Sequence, residues 1–106
     1  MDKQIKKLWV KALRSENYQQ GQGKLCDTKK DTYCCLGVLA CELGLMEEDG
    51  RIHPRGSYVY GYRATVPNSI LREVGLSDDD CGHLMHLNDI SGRPFSEIAD
   101  HIEKNL

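Results

Sequence analysis

The chain has 106 residues, 40% hydrophobic and 28% charged, with a formal charge of −2 and an isoelectric point near 6.0. That length predicts a single domain over residues 1–106, able to fold without disulfide or metal staples. The charge argues against a general binder of nucleic-acid polymers, and no apolar run of about 18 residues offers a membrane span. Residues 3–15 then read as an amphipathic helix, because Ile5, Leu8, Trp9, Ala12 and Leu13 form one stripe. Lys6, Lys7 and Lys11 fall outside it and should meet water. The stretch 18–25 is polar and holds Gly21 and Gly23, so it predicts a loop, opening into a short extended piece at 24–26. Asp31 or Thr32 is a candidate N-cap for a second helix running to about Leu43, with Gly44 past its end. Cys34, Cys35, Leu36, Val38, Leu39, Ala40 and Cys41 leave that helix almost no polar side, which predicts a central, covered helix. Gly37 weakens it by up to about 1 kcal/mol relative to alanine, and so points to close approach of another backbone or a ligand.

From Arg51 the pattern changes. Tyr58, Tyr60, Tyr62, Ala64 and Val66 alternate with other residues, which predicts a strand over 57–66 that pairs with 51–53 as a hairpin. A short helix over 67–75 carries Ile70, Leu71 and Val74. Ser77 with Asp80 reads as a capping box for a helix over 78–88 that buries Leu84 and Leu87. Phe95, Ile98, Ala99 and Ile102 mark a last amphipathic helix over 95–105, with Asp100 and Lys104 as an outer i, i+4 pair. The expected class is α+β: a mainly helical domain with a central buried helix and a small antiparallel sheet or hairpin.

The charge is unevenly spread. Residues 1–30 carry eight Lys or Arg against three acids, whereas the rest carry six against thirteen. A basic first third suits an anionic ligand, although such runs also serve as solvated helix faces. Within it, Gln20-Gly21-Gln22-Gly23-Lys24 brings backbone amides and a cation together, as phosphate-cradling loops do. It lacks the spacer and the hydroxyl of a Walker A loop, and a plain turn is the competing reading. The tyrosines at 58, 60 and 62 suit either base stacking or the apolar side of a small sheet. Five cysteines, two of them adjacent, and a first stretch without the apolar core of an export signal predict reduced thiols in a cytosol. Cys81, His83 and His86 lack the paired spacing of zinc knuckles, so neither metal nor other cofactor is expected. No local signature supports a catalytic cysteine–histidine pair.

Several landmarks form one string: Trp9; Ala12-Leu13-Arg14-Ser15; Tyr18-Gln19-Gln20-Gly21-Gln22-Gly23-Lys24-Leu25; Tyr33-Cys34-Cys35-Leu36-Gly37-Val38-Leu39; Leu87-Asn88-Asp89; and Phe95 with Ile98-Ala99-Asp100. Together they resemble a group of small, mostly uncharacterised proteins of tailed bacteriophages and prophages. Residues 46–66 are the least typical part. The resemblance implies a phage origin and an accessory role in the bacterial host cytoplasm. Phages commonly carry compact sponge proteins that bind the cyclic-nucleotide signals of bacterial immunity without cleaving them, and these are often homo-oligomers. The expectation is therefore a non-catalytic, anti-defence binder of a phosphate-bearing nucleotide. Arg14, Gln20, Gly21, Gly23 and Lys24 would hold phosphate, and Trp9, Tyr18 or Tyr33 would contact a base; Lys6 and Lys7 would be bystanders. Two alternatives are an interaction protein that blocks a host enzyme with its acidic part, and a small nucleotide-processing enzyme using Asn88, Asp89 and a histidine.

Overall fold

A computed structural model describes residues 1–23, 25–27, 29–44 and 68–106. Among them are five helices, α1 (Lys3–Arg14), α2 (Cys35–Glu42), α3 (Asn68–Val74), α4 (Asp78–Asp89) and α5 (Phe95–Asn105). Three two-residue strands, β1 (Gln19–Gln20), β2 (Cys26–Asp27) and β3 (Thr32–Tyr33), complete an α+β architecture. None of the described helices is long and apolar enough to cross a membrane. The expected hairpin at 51–66 lies outside the described residues, as does Lys24.

The Asp2 carboxylate starts α1 by accepting the amide of Ile5 at 2.9 Å, one of the donors that a helix leaves unpaired at its beginning. Trp9, Ala12 and Leu13 are buried as their spacing predicts. Val10 is buried as well, whereas Leu8, read as part of the stripe, is 43% exposed. The helix is gripped from two flanks, by α2 and by α5, and the covered arc is turned accordingly. The Trp9 indole N–H donates to the carbonyl of Cys35 at 2.9 Å and so ties α1 to the first turn of α2.

Helix α2 is the central one: Cys35, Leu36, Gly37, Val38, Leu39 and Ala40 are all buried. Full burial of leucines such as Leu36 and Leu39 is worth about 1.5–3 kcal/mol each. It begins later than its apolar pattern implies. Thr32 and Tyr33 pair on both sides in the sheet, so neither they nor Asp31 can cap a helix, and Cys34 Sγ accepts the Gly37 amide instead. Gly37 is where another backbone approaches. A Cβ placed there would collide with the carbonyl oxygen of Leu25 and lie 2.8 Å from its carbonyl carbon.

The sheet has the order β1-β3-β2 and is mixed rather than antiparallel throughout. Strand β3 runs parallel to β1, with Gln19 opposite Thr32, and antiparallel to β2, with Cys26 opposite Tyr33. Between β2 and β3 the Asp27 carboxylate accepts the amides of Lys29 and Lys30, which folds the chain back on itself. Ser77 and Asp80 do form a capping box on α4. Asp100 does not pair with Lys104. It turns with Glu103 toward Arg14, so that the last turn of α1 is clamped to α5 by two carboxylates.

Candidate functional site

A cleft of about 700 Å³ opens where the end of α1, the sheet and the start of α5 meet. That is a volume suited to a small organic ligand. Arg14, Tyr18, Gln20 and Tyr33, four of the residues read from the sequence as ligand contacts, line it together with Phe95. The rings of Tyr18 and Tyr33 meet edge to face, with centroids 5.2 Å apart and planes at 87°. Burial pushes both phenols up, that of Tyr33 to about 12, so they stay neutral and act as flat apolar surfaces with a polar tip. Glu16 and Asp31 also line the cleft, both in the left-handed region at φ of 64° and 55°. A non-glycine residue adopts that region only when its surroundings impose it.

Among the described residues lining the cleft Arg14 is the cation, and its charge is already shared. Its guanidinium donates to Glu103 at 2.8 Å and to Asp100. Those two hydrogen bonds raise its pKa further above the ordinary arginine value, that to Glu103 first, and the same contact lowers the carboxyl of Glu103. An anionic ligand at Arg14 competes with these carboxylates in an exposed setting.

The glycine loop is engaged by the protein itself. The Gly21 amide donates to the Tyr33 carbonyl at 2.8 Å, and the Gly23 amide donates to the Asp89 carboxylate at 3.0 Å. A Cβ at Gly21 would lie 2.7 Å from the Cβ of Thr32, so that glycine is needed for strand contact. The anion held by this loop is the chain's own Asp89. Gly21 and Gly23 are therefore not free phosphate donors. Trp9, read as a base contact, is fully buried with its N–H committed to Cys35, and it cannot reach a ligand either.

The loop instead converges on Asn88, which the sequence marks as a landmark and a candidate catalytic residue but not as a structural centre. Asn88 is fully buried at the end of α4. Its Oδ1 accepts from Gln20 Nε2 at 2.9 Å and from the Cys35 amide at 3.3 Å, and its Nδ2 donates to the Gly21 carbonyl at 2.9 Å and to Asp89 at 2.8 Å. Gln22 Nε2 adds a bond to the Asn88 carbonyl at 3.2 Å, and Gln20 a second one to the Arg93 carbonyl at 2.7 Å. A buried polar side chain with every atom satisfied fixes the elements around it in one arrangement. A signal was present. Cys81, Leu84 and Asn88 share one helix face at i, i+3 and i+7, and the first two are apolar.

The family of domains of unknown function DUF8296 matches residues 1–71. The chain belongs to this family. No curated protein and no solved structure matches it. The matched residues include α1, the whole sheet and α2, and hence most of the cleft wall. Asn88 and Asp89, which hold the loop from behind, lie beyond them.

The cysteines of this DUF8296 member are not arranged as nucleophiles. All five thiols are free, and burial raises every one: Cys34 and Cys81 to about 11, Cys41 to about 12, Cys26 and Cys35 in the same direction. A nucleophilic cysteine requires the opposite shift. The native protein should therefore react slowly with an aromatic disulfide reagent near neutral pH and yield all five thiols only after unfolding. One thiol reacting at the rate of free cysteine would contradict that. Asn88 and Asp89 are spent on structure, and no histidine is bonded to either among the described residues. Nor, among those residues, is any group of three or more His, Cys, Asp or Glu placed to hold a metal ion.

Proposed function

We propose that the chain is a phage-encoded, non-catalytic binding protein that sequesters a phosphate-bearing small molecule in the bacterial host cytoplasm. The ligand class is a cyclic nucleotide signal of antiviral immunity. The observation that carries this reading is the cleft, which sets the Tyr18–Tyr33 pair beside Arg14 in one hollow. Aromatic faces take a base and a guanidinium takes a phosphate, which are the two halves of a nucleotide. The raised thiols and the engaged Asn88–Asp89 pair support binding without turnover. Recognition rests on Arg14, Tyr18 and Tyr33; Gln20 lines the cleft, but its amide N–H groups are given to Asn88 and Arg93, so it and the glycine loop act as support.

Incubating the pure protein with a panel of cyclic and linear nucleotides, then recovering and weighing the bound molecule, tests this. Intact ligand is the expected result. Altered ligand would make the protein an enzyme, and no retained ligand would favour a protein partner. Loss of a stacking surface in Tyr18→Ala should weaken binding by about tenfold, and Arg14→Ala should do likewise by removing a charge-assisted bond. Titration calorimetry measures both, and unchanged affinity in both variants would remove the cleft from the account.

A further inference from the structure

Arg14 belongs to two hollows. Besides the aromatic cleft it lines a second depression, of about 520 Å³, with Lys3, Lys6, Lys7, Val10, Lys11 and Glu103. Lys3, Lys7 and Lys11 repeat every fourth residue, and Lys6, Val10 and Arg14 form the row beside them, so all six share one face of α1. From Lys3 to Lys11 the helix rises about 12 Å. Among the described residues, Lys3, Lys7 and Lys11 have no ion-pair partner. Among the described residues lining the depression Glu103 is the one acid, and it is taken by Arg14.

At its N-terminal end this arrangement works against the helix, although Lys11 and Arg14 lie in the last turn, where cations suit the dipole. Like charges at i, i+4 repel, and cations near a helix N-terminus oppose its dipole. The Asp2 cap is the one acid at that end, and the first turn of α1 itself adds none against Lys3, Lys6 and Lys7. On this face Val10 is buried and Arg14 is clamped to α5, but Lys3, Lys7 and Lys11 are exposed and take no part in packing α1 against α2 and α5. Phosphate groups would relieve the repulsion.

We infer that the lysine face is a second anion subsite, continuous with the aromatic cleft through Arg14. The ligand is then a nucleotide with two or more phosphates, its base in the cleft and its phosphates running over Arg14 toward Lys11 and Lys7. Lys6 and Lys7 belong to the site and are not bystanders. The inference rests on the nucleotide reading of the cleft for the base, but not for the anion.

The test measures binding of a mononucleotide, a cyclic dinucleotide and inorganic tripolyphosphate to the wild type and to the double variant Lys7→Gln/Lys11→Gln. A cyclic dinucleotide should bind the wild type about tenfold tighter than the mononucleotide, with a steeper loss between about 50 and 200 mM salt. The double variant should lose about tenfold for the dinucleotide and for tripolyphosphate, keep the mononucleotide affinity within about twofold, and melt no lower than the wild type. If nucleotides bind but the double variant holds the dinucleotide as the wild type does, the subsite is wrong and the cleft reading stands. If tripolyphosphate binds in a lysine-dependent way but no nucleotide does, the subsite stands and the cleft reading falls. Absence of tripolyphosphate binding overturns the subsite.

Discussion

Replacing Asn88 with alanine is expected to destabilise the protein by about 3–5 kcal/mol. Its side chain is fully buried and serves four partners: the neighbouring pair Gln20 and Gly21, Cys35 at the start of α2, and the adjacent Asp89. Truncation leaves the Gly21 carbonyl and the Cys35 amide without their side-chain partner and takes one of the two bonds of the Gln20 amide. Each buried group stranded in this way costs about 1–3 kcal/mol, and water entering the hole recovers only part of it. Asn88→Asp keeps the size but turns the donating nitrogen into a second acceptor, facing the Gly21 carbonyl and the Asp89 carboxylate. Its penalty should grow as pH rises through the carboxyl range, because the new group ionises beside Asp89. Urea unfolding followed by circular dichroism gives both values. An alanine variant within about 1 kcal/mol of the wild type would show that the Asn88 bonds are not what holds the loop. Ligand affinity should fall with stability, since Gln20 lines the cleft and hangs from Asn88.

A methyl group at position 37 should be almost as damaging. Gly37→Ala is expected to cost about 3 kcal/mol or more, even though alanine is intrinsically better in a helix by about 1 kcal/mol. The new Cβ meets the Leu25 carbonyl, which is backbone and is itself fixed by the Cys34 amide at 3.2 Å. No rotamer change can clear it, so α2 or the β2 edge has to move. Gly82 supplies the contrast. It lies in α4 with nothing within 4 Å of where a methyl group would stand and no positive φ, so Gly82→Ala should stabilise by about 0.5–1 kcal/mol. Opposite signs at two helical glycines are the outcome to look for in thermal melts. If both substitutions were neutral, the close approach of Leu25 to α2 would be wrong.

Much of the helical frame is legible in the sequence because its signals are local. The run from Phe95 to Asn105, the Ser77–Asp80 box and the apolar surround of α2 are each set by residues a few positions apart. Gly37 likewise signals a close neighbour. Of the sheet, only the extended piece reaching Cys26 is legible. Two-residue strands carry no periodicity, and the pairing of Gln19 with Thr32 is made across the chain. The true start of α2 is hidden for the same reason, since nothing near Thr32 reveals that its backbone is claimed by β1 and β2. The site is half legible. Tyr18, Tyr33, Gln20 and Arg14 meet in the cleft, whereas Trp9 has the chemistry of a base contact and spends its ring on the core. Gly21 and Gly23 have the chemistry of an anion loop and Gly23 does hold an anion, but it comes from α4, a partner no local pattern identifies.

The bonds from Gln20, Gln22 and Gly23 to Asn88 and Asp89 close circuits of 66 to 68 residues. The entropy of closing such a circuit depends only logarithmically on its length, so even doubling it costs about 0.6 kcal/mol. The tie between the glycine loop and α4 therefore depends on the partners at its two ends and hardly on how many residues lie between them.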